Sequence, residues 1–117
     1  MPWAIEYYVT ADRKCPVREF IDGLSHEGQA KYILITKLLI EYGVLVKEPY
    51  VKQLTGHKKL FEMRIKDKTG ISRILYLTHT GRKFVLLHGF VKKTNKIPQG
   101  EIEIAEARMK DYLSWEV

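Results

Sequence analysis

LFEMRIKDKTGISRILYLTHTGRKFVLLHGFVKK, residues 60–93, decides the fold. Three runs rich in β-branched, aromatic and aliphatic residues are separated by two turn signals, the pattern of an antiparallel meander. Leu60–Lys66 is the first strand, turned by Asp67-Lys68-Thr69-Gly70. Ile71–Thr78 is the second, reversed at Thr80-Gly81, and Lys83–Val91 is the third.

The turns set a register. A four-residue DKTG loop pairs Lys66 with Ile71, Arg64 with Arg73 and Glu62 with Leu75. A tight turn at Thr80-Gly81 pairs His79 with Arg82, Leu75 with Leu86 and Arg73 with His88. Arg64, Arg73 and His88 then form one row on one face, and Phe90 and Lys92 continue it. The other face holds Phe61, Met63, Ile65, Ile74, Tyr76, Val85, Leu87 and Val91, a core-facing set.

Upstream of the meander, residues 3–10 (WAIEYYVT) read as a strand. Pro16 opens a short helix with Val17, Phe20, Ile21 and Leu24 on its apolar face. Ser25 caps a second helix that runs to about Tyr42 and ends at Gly43, with Ala30, Ile33, Leu34, Leu38 and Tyr42 as its apolar stripe. Residues 44–59 read as an irregular connection broken by Pro49 and Gly56. Downstream, Lys92 to Gly100 is a basic loop. A final helix presents Ile102, Ala105, Met109, Tyr112 and Leu113 inward and an acidic face outward. The expected fold class is α+β, a single antiparallel sheet in the order β-α-α-β-β-β-α with helices packed on it, in one domain spanning residues 1–117.

The 117 residues carry a net charge of +6. The first 57 are neutral, with seven basic and seven acidic residues. Residues 58–100 hold eleven Lys or Arg against Glu62 and Asp67, a net of +9, and residues 101–117 are net −3. A cationic block of this kind attracts polyanions. The single cysteine, Cys15, excludes an internal disulfide and a Cys-rich zinc site. The four histidines show no metal-ligand spacing, and no Gly-rich phosphate loop or nucleophile elbow occurs. No apolar run reaches membrane-spanning length and no secretion leader is seen, so a cytoplasmic protein without cofactor or metal is expected.

Two arginines opposed on neighbouring strands repel unless an anion lies between them. Glu62 is one candidate, giving an Arg–Glu–Arg network that holds the sheet. A bound phosphate is the other, with Lys59, Lys92 and Lys93 on its rim. His88, in LLHGF, is either an interior group or a proton-transfer group beside Arg73. His57 and His79 fall in or near loops and are expected at the surface. Lys66 and Lys96 lie in the same basic block and, with Lys59, are candidates for contacting a polyanion's phosphate backbone, which the resemblance below makes an RNA.

LFEMRIKDKTGISRILYL (60–77) followed by VLLHGFVKKTNKIP (85–98) resembles the RelE/HigB superfamily of type II toxins, in its phage-derived, HigB-like branch. KQLTGHKKL (52–60) resembles that family's lead-in to the meander, and PQGEIEIAEARMKDYL (98–113) its final helix. The resemblance implies an enzyme, a metal-independent, ribosome-dependent mRNA endonuclease in which a 2′-OH attacks the adjacent phosphate. It also implies a cognate helix-turn-helix antitoxin. It maps the family's basic positions onto Arg64, Arg73, Lys92 and Lys93. Glu62 stands where better-known members carry a lysine, which keeps a second function open: a non-catalytic RNA-binding or regulatory module of the same fold. Glu62, His88 or a lysine is then the group for proton transfer.

Overall fold

The computed structural model describes residues 2–92 and 96–116. Its elements are β1 (Ala4–Tyr7), α1 (Pro16–Asp22), α2 (His26–Tyr42), a 3-10 turn (Gly43–Leu45), β2 (Val51–Gln53), β3 (Leu60–Asp67), β4 (Gly70–His79), β5 (Lys83–Lys92) and α3 (Gln99–Ser114). The class is α+β, but the sheet is mixed and has five strands, in the order β1-β5-β4-β3-β2. Two features correct the sequence reading. β1 joins the outer side of β5 in parallel, and β2 forms inside the segment read as irregular, antiparallel to β3. Strand β2 is only three residues long, too short for an alternation pattern to announce it.

The β3–β4 hairpin has the expected register, with Arg64 opposite Arg73 and Glu62 opposite Leu75. The β4–β5 pairing differs. The loop is three residues, so His79 faces Lys83, and Arg82 takes a left-handed φ of 56° after Gly81 at 83°. A register shift between Leu75 and Tyr76 then adds one more residue on β5. Arg73 therefore pairs with Phe90, and His88 pairs with Leu75. The two one-residue offsets sum to two, an even number, so His88, Phe90 and Lys92 keep the expected face although their partners change.

The sheet is covered on both faces. On one, Val17 and Ile21 of α1 and Tyr32, Ile35 and Leu39 of α2 pack against Met63, Ile65, Ile74, Tyr76, Phe84 and Leu86. On the other, Ile102, Ala105 and Tyr112 of α3 pack against Leu60, Leu75, Leu77, Val85, Leu87 and Phe90. Val85 and Leu87 thus belong to the α3 side, contrary to expectation, and Val91 is exposed. The loop offset exchanges Phe84 and Leu86 for them.

Helix α2 begins as expected, with the Ser25 hydroxyl accepting from the Gly28 N–H at 3.0 Å. Gly43 ends it at φ 58°, where a Cβ would collide with the Trp3 indole. The buried stripe, however, is Gly28, Tyr32, Ile35 and Leu39. The stripe read from the sequence is the outward one: Ile33, Leu34 and Tyr42 are exposed. A helix apolar on most of its circumference offers two stripes, and only the sheet decides which is covered.

Among the described residues no helix is long and apolar enough to cross a membrane.

Candidate functional site

The α3 face of the sheet, toward the end where the β3–β4 hairpin turns, carries the charged groups of the meander. There the strands place polar side chains in rows. Lys52, Glu62, Leu75 and His88 lie opposite one another across β2, β3, β4 and β5. Arg64, Arg73 and Phe90 form the next row, then Lys66, Ile71 and Lys92.

Glu62 lies at the centre, only 3% exposed. Its Oε1 accepts from Arg64 Nε at 2.7 Å and lies 3.8 Å from Arg73 Nε. Arg64 is partly exposed and has Glu48 as a second carboxylate at 3.8 Å. Arg73 is 5% exposed, and its Nε and Nη1 have no hydrogen-bond partner among the described residues. Burial pulls its pKa below the ordinary arginine value, Glu62 opposes that, and Arg64 adds to it. A buried guanidinium with unmet donors is costly unless a ligand satisfies them, and this is the strongest local sign of an anion site.

Two cavities meet at Arg64. One, of about 340 Å³, is the more polar of the two: Lys52, Glu62, Arg64, Lys92, Lys96 and Gln99 are on its walls together with Leu54, Ile97 and Ile102. The other, of about 280 Å³, has Lys31, Arg64, Lys66 and Arg73 around an apolar floor of Pro49, Tyr50 and Ile71. Tyr50, just ahead of β2, takes the Arg64 N–H next along β3, and Lys31 of α2 joins the walls of the second cavity. The Lys92 ammonium is disfavoured, first by burial and next by Arg73, so its pKa lies below the usual lysine value, with Glu62 opposing.

The sequence candidates therefore divide. Arg64, Arg73, Glu62 and Lys92 come together, with Lys66 and Lys96 on the cavity walls. Lys59 is exposed and lines neither cavity. Lys93 lies outside the described residues. His88 is drawn away from Arg73: its Nε2 is 3.0 Å from Glu101 Oε1, its Nδ1 is 3.3 Å from Arg108 Nη1, and its ring stacks on Phe90. Arg108 also donates to the Leu87 carbonyl at 2.9 Å, across the bulge. His57 and His79 are likewise not free surface groups, since they meet Glu106 of α3 and Glu116 just past the end of that helix. The acidic residues of α3 thus partly face inward. Its aromatic end is partly buried too, with Tyr112 in the core and the half-exposed Trp115 stacked on Tyr8.

Lys31, Lys52 and Tyr50 escaped the sequence reading. They come from the neutral part of the chain, and only the tertiary fold brings them to the meander. Among the described residues no group of three or more His, Cys, Asp or Glu is placed to hold a metal ion.

The model of a family described as Phage derived protein Gp49-like (DUF891) matches residues 19–110. This span includes α2, β2 and the whole meander, and so every side chain of the two cavities named above. No curated protein matches the chain.

Proposed function

The chain belongs to the phage-derived Gp49-like family, and from that premise we propose that it is the toxin of a type II toxin–antitoxin pair, a ribosome-dependent mRNA endonuclease acting in the cytoplasm. The observation that carries the reading is the Arg73 guanidinium, buried and short of hydrogen-bond partners, beside Arg64 in a cationic cavity. The resemblance of residues 60–77 and 85–98 to RelE/HigB toxins points the same way.

In this reading the 2′-OH attacks the adjacent phosphorus and the 5′-oxygen leaves, giving a 2′,3′-cyclic end. Arg73 and Arg64 take the charge that develops on the phosphorane oxygens. Glu62, the one carboxylate on the walls of the two cavities among the described residues, accepts the 2′-OH proton. Lys92, whose ammonium is disfavoured where it sits, gives a proton to the leaving oxygen. His88 acts on the fold rather than the phosphate, because it joins β5 to α3. The ribosome supplies substrate alignment, and a helix-turn-helix antitoxin encoded next to the toxin covers the cavities.

Inducible expression in bacteria, with mapping of mRNA ends, tests this. Growth arrest with new cleavage sites is expected, and Arg73→Ala should relieve both. Loss of one donor to the transition state costs roughly 10²–10³ in rate. A folded Arg73→Ala protein that remained as toxic as the parent would remove the catalytic assignment. Retained RNA binding without any cleavage by the parent would instead favour the non-catalytic module, a role that suits a Glu62 already engaged by Arg64.

A further inference from the structure

The two cavities differ in a way that a phosphate site alone does not explain. Binding a phosphate needs cations, and the polar cavity supplies them through Lys52, Lys92 and Arg64. The cavity at Arg73 pairs its cations with Pro49, Tyr50 and Ile71, apolar surface that stays wet unless a flat, apolar group covers it. Tyr50 is held as a fixed platform there. Its carbonyl accepts from the Arg64 N–H at 2.8 Å, its own N–H donates to the Lys47 carbonyl at 3.1 Å, and its side chain packs partly against the core. A platform fixed before binding costs little further ordering when it is used.

We propose that this cavity is a base-stacking subsite, in which a nucleobase of single-stranded RNA lies on Tyr50 while the phosphate next to it takes the unmet N–H groups of Arg73. Aromatic side chains beside backbone-binding cations are the general means of holding single strands, and every base has a face to stack. Arg64, on the walls of both cavities, is where the chain crosses from one to the other. Stacking belongs to the apolar side and the sugar-phosphate continuation to the polar side. Tyr50 would thereby set where the strand lies relative to the phosphate held by Arg73.

The subsite presupposes that Arg73 binds phosphate, and the experiment separates the two. The full chain is titrated with an RNA trinucleotide and with its abasic counterpart of equal charge. Parent, Tyr50→Ala, Tyr50→Phe and Arg73→Ala proteins are compared at fixed salt. The parent should prefer the base-bearing ligand. Tyr50→Ala should bind that ligand about ten- to hundredfold more weakly, a stacking loss converted at tenfold per 1.4 kcal/mol, and the abasic ligand as the parent does. Unchanged abasic binding also shows that Tyr50→Ala is folded. Tyr50→Phe should behave as the parent, and Arg73→Ala should weaken both ligands. If Arg73→Ala weakens both but Tyr50→Ala changes neither, the base subsite falls and the phosphate site stands. If Arg73→Ala changes neither, both fall.

Discussion

Glu62→Gln keeps the size of the side chain and removes its charge, which makes it the cleanest probe of the charge balance around Arg73. The carboxylate is 3% exposed and its Oε1 lies 3.8 Å from Arg73 Nε. At an effective dielectric of about 20, a charge pair at that distance attracts by about 4 kcal/mol before desolvation is counted. Arg64 loses less than Arg73. It is partly solvated and keeps Glu48 at 3.8 Å. Arg73 has no other carboxylate within ion-pair distance among the described residues and is left as a buried, uncompensated cation. Removing one member of a buried pair costs roughly 3–5 kcal/mol. The long Arg73 contact and the acceptor oxygen that glutamine retains bring the expectation to about 2–3 kcal/mol. Urea denaturation in a buffer free of multivalent anions measures it. Added phosphate should then stabilise the variant more than the parent, because the cavity has lost a negative charge that competes with the anion; a ligand at 100 times its Kd adds about 2.7 kcal/mol. A loss below about 0.5 kcal/mol, with equal phosphate response in both proteins, would refute the view that Glu62 balances Arg73.

The remaining expectations are simpler. Ile35→Ala should cost about 2–5 kcal/mol and Leu34→Ala within about 0.5 kcal/mol, because Ile35 is fully buried and Leu34 faces outward; the reverse order in denaturation midpoints would mean that α2 docks through its other stripe. Gly89→Ala should lower stability by about 1–3 kcal/mol, since the new Cβ would lie 2.4 Å from the Phe20 ring; an unchanged melting temperature would count against that contact. Lys92→Met should stabilise the protein near pH 7, where the disfavoured ammonium is charged. The folded pKa lies below the unfolded value, so the unfolded chain binds more protons between the two, and the parent gains stability as pH rises through that interval. The advantage of the variant should therefore shrink toward pH 10, and a constant advantage across urea midpoints from pH 7 to 10 would contradict it.

What was legible in the sequence is what local chemistry decides. DKTG marks the turn; the loop closes on Lys68-Thr69, tighter than the expected four residues because Asp67 and Gly70 also pair, and since each strand gains one residue every expected β3–β4 pair still forms. The meeting of Glu62, Arg64 and Arg73 follows from that register alone. The next hairpin was harder for a physical reason. Arg82 adopts a left-handed conformation that its residue type does not advertise, which lengthens the loop by one. The bulge beside Leu75 lies in mid-strand, away from the turn, and leaves no mark in the turn sequence. Together these moved Phe90, not His88, opposite Arg73.

The parts that were not legible are those settled by contacts distant in sequence. β1 has the composition of a strand, but nothing within four residues says that its neighbour is β5 or that the pairing is parallel. The α2 stripes are equally apolar, so the choice between them lies in the shape of the sheet. The site shows the same division. The +9 block marks the cationic region, because charge adds up along the chain. Burial of Arg73 does not add up along the chain. It requires Phe90 beside it on β5 and Tyr50 ahead of β2. Lys31 and Lys52 arrive from a segment whose net charge is zero, so no count of charges could have placed them there. A composition can therefore point toward a polyanion as ligand, while the unmet donors of Arg73 and the apolar floor beside it, on which the proposed phosphate and base contacts rest, exist only after folding.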